Sequence, residues 1–154
     1  MRTAKNIFIL LLFPLLMNAC QKQTNPLLTG FDTPFETPPF HLIGHEHYLP
    51  AFKLAIEEGL REIDAIANNP AAPDFDNTIA ALSFSGSSLT RISRIFYNLN
   101  NAETNPDLQE IARQVAPLTS DYSNDILFNE ALFQRIKSVY DQKESLLLTA
   151  EQST

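Results

Sequence analysis

A spacing constrains this chain more than any other feature. Between Leu49 and Ala67, large apolar side chains recur every three or four residues: Leu49, Phe52, Ile56, Leu60, Ile63 and Ile66 or Ala67. That period lays them in one stripe along an α-helix. The helix is predicted over about 46–68. Glu46 suits its positive N-terminal end, and Pro50 lies in the first turn, where a missing N–H costs nothing. Asn68-Asn69-Pro70 stops it. A stripe of this kind has to be buried against partners, and the rest of the chain supplies similar ones.

The second helix is expected from Asp76 or Asn77, as cap, to about Asn101. Its inward residues are Ile79, Leu82, Gly86, Leu89, Ile92 or Ser93, Phe96 and Leu99. Gly86 among Ser83, Ser85, Ser87 and Ser88 lowers helix propensity at its middle. That patch either admits a close helix neighbour or kinks the helix. Asn105-Pro106-Asp107 starts the third, with Leu108, Ile111 or Ala112, Val115, Leu118, Tyr122 and Ile126 inward. Pro117 is expected to interrupt it. Asn129 caps the fourth, which turns Leu132, Phe133, Ile136, Val139 and Tyr140 inward and ends near Leu146 to Leu148. The fold class is therefore all-α: about four amphipathic helices, antiparallel because their loops are short. No strand is convincing.

With 154 residues, 44% apolar and 19% charged, there is material for one core. Eleven basic residues against 18 acidic ones leave a net charge of −7. An acidic surface without a basic cluster argues against nucleic acid and against an electrostatic grip on anionic lipid.

The chain opens differently. Arg2 and Lys5 precede an unbroken apolar run, Ile7 to Met17, followed by Asn18-Ala19-Cys20. This is the order of a secretory signal over 1–19, too short to span a bilayer. Met17-Asn18-Ala19-Cys20 resembles the lipobox of bacterial lipoproteins, in which the cysteine is acylated and becomes the new N-terminus. Cys20 is the sole cysteine, which excludes a disulfide framework and a thiolate zinc cluster. The expectation is a lipid anchor at Cys20, secretion and residence in the cell envelope; a plain secreted protein is the alternative.

Residues 20–45 read as a tether and a Pro-rich arm. Pro26, Pro34, Pro38 and Pro39 forbid a helix interior. Leu27, Leu28, Phe31, Phe35 and Phe40 are too apolar for a solvated linker, so the arm is expected to lie on the helical body (residues 46–154) with its aromatic residues in grooves. A disordered linker is the alternative.

The three histidines, His41, His45 and His47, bracket Glu46 and suggest a metal. A helical zinc motif needs His-Glu-x-x-His, so that both imidazoles share a face. Starting from His45-Glu46, the second ligand falls at Leu49. His45 and His47 would stand about 200° apart on a helix. Capping and surface roles are the expectation, and no metal or catalytic residue is assigned. Glu57, Glu58, Glu62 and Asp64 read as a solvated face. Ser85-Gly86-Ser87-Ser88 lacks the glycines of a nucleophile elbow and is assigned to packing.

At the other end, Thr149-x-x-Gln152 has the form of a capping box, a helix beginning as the chain stops. Either the sequence is cut there or the tail is a frayed terminus.

Several stretches together resemble one family, the zinc oligopeptidases that include thimet oligopeptidase, oligopeptidase A and peptidyl-dipeptidase. They are Asn25-Pro26-Leu27-Leu28, Phe35-Glu36-Thr37-Pro38-Pro39-Phe40 and Glu46-His47-Tyr48-Leu49-Pro50-Ala51-Phe52. Asn68-Asn69-Pro70, Phe75-Asp76-Asn77-Thr78-Ile79-Ala80-Ala81-Leu82, the run Phe96 to Asn105 and Val139-Tyr140-Asp141-Gln142 continue the series. They are most like the bacterial peptidyl-dipeptidase branch. The resemblance is to the family's N-terminal helical part, one wall of a deep channel that admits short, unfolded peptides. It implies a substrate-gating region of a peptidyl-dipeptidase, with the zinc site on a later domain and no activity in this chain alone. None of the family's zinc or catalytic positions has a counterpart here. The rival expectation is a non-enzymatic helical lipoprotein that binds peptides or a partner protein.

Overall fold

The computed structural model describes residues 24–146 and Thr149. The signal over 1–19, Cys20 and most of the terminal capping box lie outside these residues. Four helices of a dozen residues or more make up the body: α1 Tyr48–Ala67, α2 Ser87–Ala102, α3 Pro106–Leu127 and α4 Glu130–Asp141. Among the described residues there is no strand. The central element is α1, which packs against α2, α3 and α4.

The two later helices, α3 and α4, begin where the sequence offers a cap. Asn105 Oδ1 accepts the Leu108 N–H at 3.0 Å, with Pro106 in the first turn of α3. Asn129 Oδ1 accepts the Leu132 N–H at 2.9 Å and starts α4. Both satisfy amides that a helix leaves unpaired.

The buried face of α1 is rotated from the expected stripe. Tyr48, Ala51, Phe52, Ala55, Gly59, Ile63 and Ile66 are buried, whereas Leu49, Ile56 and Leu60 are only half-buried. A count of large apolar residues passes over Ala51, Ala55 and Gly59. These small residues give α1 the surface against which neighbours approach most closely, and packing follows them.

The second predicted helix is two pieces. Its cap is Asp74 rather than Asp76 or Asn77: Asp74 Oδ1 accepts the Asn77 N–H at 2.7 Å, and Asn77 Oδ1 accepts the Asp74 N–H at 3.1 Å. This reciprocal pair opens a π turn, Phe75–Ala80, and one α turn, Ala81–Phe84. The helix stops at Ser85, and Gly86 at φ 66° turns the chain into α2. The left-handed geometry is what glycine permits.

Three expectations fail. Pro117 does not interrupt α3; Pro117 and Arg113, whose carbonyl loses its helical partner, both lie on the exposed side, where solvent can satisfy it. The fourth helix ends at Asp141 instead of near Leu146, and Lys143–Ser145 forms a 3-10 turn. Phe133 and Tyr140 point outward, 53% and 63% exposed. Arg135 takes an inward position on α4 instead, 7% exposed. It donates to the carbonyls of Asn69 and Ala71 at 2.7 and 3.1 Å and to Asn77 Oδ1 at 2.8 Å, so an apolar pattern could not find it.

Residues 25–47 pass through four 3-10 turns before α1. Leu27 is fully buried in the main core, and Phe31 packs against it. The Arg91 guanidinium lies 5.1 Å from the Phe31 ring centroid and donates to the carbonyls of Leu27 and Thr29 at 3.0 and 2.8 Å. Asn25 Nδ2 donates to the His47 carbonyl at 2.7 Å. Phe35 is completely exposed and Phe40 half exposed, so neither occupies a groove.

Candidate functional site

The histidines form no common site. His47 Nδ1 accepts the Gly44 N–H at 2.9 Å and closes the turn that leads into α1. His45 Nδ1 turns the other way, 3.4 Å from Asp107 Oδ2 at the start of α3. No interaction brings His41 to either of them. Among the described residues, no group of three or more His, Cys, Asp or Glu side chains is placed to hold a metal ion. These residues therefore do not fit the zinc that the family resemblance implies. His47 closes the turn before α1, and His45 makes a contact with the start of α3.

A second constellation joins α1, α3 and the Ser85–Gly86 break. Gly86 N donates to Glu62 Oε2 at 2.7 Å, which fixes the break to α1. The Tyr122 hydroxyl of α3 is wedged between two glycines: a Cβ on Gly59 or on Gly86 would stand 2.6 Å from it. Burial, and then the nearby Glu62 carboxylate, push the Tyr122 pKa up from its ordinary value. Glu62, read from sequence as part of a solvated face, is half-buried here. A tyrosine kept neutral beside a carboxylate that is already hydrogen-bonded makes a rigid joint.

An open groove of about 880 Å³ lies between residues 30–38 and the stretch from Ser83 to Ile95. Phe31, Phe35 and Phe84 give it apolar walls, and Arg91, Arg94, Asp32 and Glu36 give it charge. Arg91 is committed to the Leu27 and Thr29 carbonyls. Arg94, three residues on and exposed, makes no ion pair among the described residues. The groove contains no histidine, lysine or cysteine. It can hold an extended ligand through aromatic contact and charge, and it lacks an imidazole base beside its serines. Sequence patterning missed it. The Arg91–Arg94 spacing of three, which puts both on one side of a helix, was its one available signal.

No family model matches the chain. Comparison with curated proteins is more informative. Over 128 residues, 83% of this chain, it is 42% identical to the dipeptidyl carboxypeptidase of Salmonella typhimurium. It is 41% identical over 127 residues to the Escherichia coli protein of the same name. It is also 32% identical over 118 residues to oligopeptidase A of Escherichia coli. The matched stretch amounts to 19%, 19% and 17% of those proteins. The chain thus belongs to the dipeptidyl carboxypeptidase and oligopeptidase A family, and it corresponds to only part of the length of these relatives.

Proposed function

We propose that this chain is the substrate-gating wall of a peptidyl-dipeptidase, an enzyme that removes dipeptides from the C-termini of short peptides. The observation that carries this reading is the 42% identity with a dipeptidyl carboxypeptidase over 83% of the chain. The groove beside Phe35, Phe84 and Arg94 is consistent with it, since an extended peptide offers both apolar side chains and carboxylates. Hydrolysis would be the work of a zinc centre held by residues outside this chain, because the sequence has no His-Glu-x-x-His, and His45 and His47 are engaged with Asp107 and the Gly44 N–H. Alone, the chain is inactive. It is secreted and held in the cell envelope by acyl chains on Cys20, each buried methylene adding about 0.8 kcal/mol of membrane affinity.

Two measurements test this. The purified chain, with or without added zinc, should release no dipeptide from short peptides. A chimera in which it replaces the matching stretch of the Salmonella dipeptidyl carboxypeptidase should release C-terminal dipeptides. Hydrolysis by the chain alone, or a folded, zinc-loaded chimera without activity, defeats the proposal. Metabolic labelling with radioactive palmitate reads the anchor: label should enter the natural chain and not Cys20→Ser.

A further inference from the structure

The first point at which the chain is tied to its body lies close to the proposed anchor. Asn25 is five residues beyond Cys20, and five residues reach at most about 18 Å. The Asn25 side chain is held on both sides: Oδ1 accepts the Leu27 N–H at 3.0 Å, and Nδ2 donates to the His47 carbonyl at 2.7 Å. Leu27 is fully buried. His47 Nδ1 in turn accepts the Gly44 N–H at 2.9 Å. Two residues before Gly44 ends the 3-10 turn Phe40–Leu42, closed by the Ile43 N–H on the Phe40 carbonyl at 3.2 Å. Two hydrogen bonds therefore link the end of the tether to this turn. All three of its residues are exposed, Phe40 by 50% and Leu42 by 56%, with His41 between them. From Thr37 to His45 the sequence has no Asp, Glu, Lys or Arg.

We propose that the Phe40–Leu42 turn is a membrane contact, seated among the headgroups and upper acyl chains of the bilayer that holds Cys20. The inference rests on the lipid anchor proposed above. A tether of this reach keeps Asn25 within about 18 Å of the lipid, so the side of the body around Asn25 is the one held towards it. That side presents an apolar turn without formal charge. The chain as a whole carries −7, and anionic headgroups repel carboxylates, so the contact is apolar rather than electrostatic. Phe40 and Leu42 are too few to hold the protein on a membrane; the acyl chains do that, and the turn sets which side meets the lipid. Helix α3 defines the opposite end. It starts beside His45, at Asp107, and runs 22 residues to Leu127, about 33 Å away. Phe128, 83% exposed, stands at that far end.

The chain has no tryptophan, so a single one reports its own surroundings. Phe40→Trp and Phe128→Trp are made separately in the full, lipidated chain and reconstituted into phosphatidylcholine vesicles, with and without brominated acyl chains. Emission of the Phe40→Trp variant should shift to the blue on vesicles and fall by about half or more with brominated lipid, as for a ring buried about 5–10 Å into the interface. Emission of the Phe128→Trp variant should keep the wavelength of a solvated indole and change by less than about a tenth, since roughly 30 Å of helix separates the two sites. Quenching of neither variant overturns the proposal. Equal quenching of both also overturns it, because the body would then lie on the lipid with no preferred side. So does blue-shifted emission of Phe40→Trp in the Cys20→Ser chain without vesicles, since protein would then cover the turn.

Palmitate labelling reads the anchor separately. A chain that takes up no label at Cys20 defeats the anchor, and the membrane contact falls with it. A labelled, vesicle-bound chain whose Phe40→Trp emission is unquenched defeats the membrane contact alone and leaves the anchor standing. Should Phe40→Trp disturb the helical circular dichroism, Leu42→Trp reads the same turn with the Phe40 ring kept.

Discussion

The two ends of α1 are built on different principles. At its N-terminal end, Tyr48, Phe52 and Phe96 meet with ring centroids 5.1 and 5.6 Å apart, and Leu27, Ile92, Leu108 and Val115 close around them. Apolar burial and edge-to-face rings hold this end together. At its C-terminal end, Ile63, Ile66 and Leu132 form a thin core, and Arg135 ties the 69–78 loop to α4 through carbonyls and one amide. A core that cannot enclose itself leans on directed polar contacts and leaves its margin open. The difference teaches which end of this body is held by packing and which by polar contacts.

The largest effect should separate the two ends. Phe96→Ala removes a fully buried ring that contacts Tyr48, Phe52 and Tyr97, and should cost about 3–5 kcal/mol by urea denaturation. Leu132→Ala, at 2% exposure, should cost only about 2–3 kcal/mol, because the thin cluster can relax into the space. Equal losses would mean that the thin end is as cohesive as the aromatic one.

Next comes Arg135→Met, which keeps the stem and deletes the charged donors. It should cost about 2–3 kcal/mol, as hydrogen bonds to charged groups do. Amides of residues 69–78 should exchange faster with solvent while those of the aromatic end are unaffected. Faster exchange throughout would show that the clasp supports the whole molecule and not one end.

The joint between the two ends gives a smaller and more specific effect. Gly86→Ala adds a Cβ 2.6 Å from the Tyr122 hydroxyl at a φ of +66°, so it should cost about 2 kcal/mol from crowding and left-handed strain. With Tyr122→Phe in place the next contact, Cζ, is at 3.6 Å, and only the strain should remain. Gly59→Ala should be rescued less, because Cε2 and Cζ of the ring stay at 3.0 and 3.1 Å. A double-mutant cycle reads both couplings. Equal rescue at the two glycines would contradict the wedge.

Legibility in the sequence follows the same division. The helices, their order and the caps at Asn105 and Asn129 are written locally, in three-and-four spacing and in residues that bond their own backbone. The fate of Gly86, Arg135 and Phe133 depends on what stands opposite each of them. Gly86 signalled a break or a close approach, and Tyr122 makes it both. Arg135 has no place in an apolar pattern, because its partners are carbonyls 64 and 66 residues away. Phe133 looked inward because an apolar residue does not say whether its cover lies in this body or outside it. The places of two histidines are set by their neighbours: His47 closes the Gly44 turn, and His45 faces Asp107 at the start of α3.

The smallest effect concerns a flaw in the better-packed end. Tyr48 is 1% exposed, and its hydroxyl has no hydrogen-bond partner among the described residues. A buried, unpaired hydroxyl is a penalty, so Tyr48→Phe should be neutral or stabilise by up to about 1 kcal/mol. Burial also raises the Tyr48 pKa above its ordinary value of 10.0. The folded state then binds that proton more tightly than the unfolded chain does. This stabilising difference is fully present below pH 10 and is lost as pH rises through the raised pKa. Wild type should therefore weaken in alkali more steeply than Tyr48→Phe, with the curves diverging only above about pH 10. Tyr122, raised by burial and by Glu62, leaves a residual slope in that variant that Tyr122→Phe should remove. A destabilised Tyr48→Phe would mean that the hydroxyl has a bridging partner, and the aromatic end would then also depend on a polar contact.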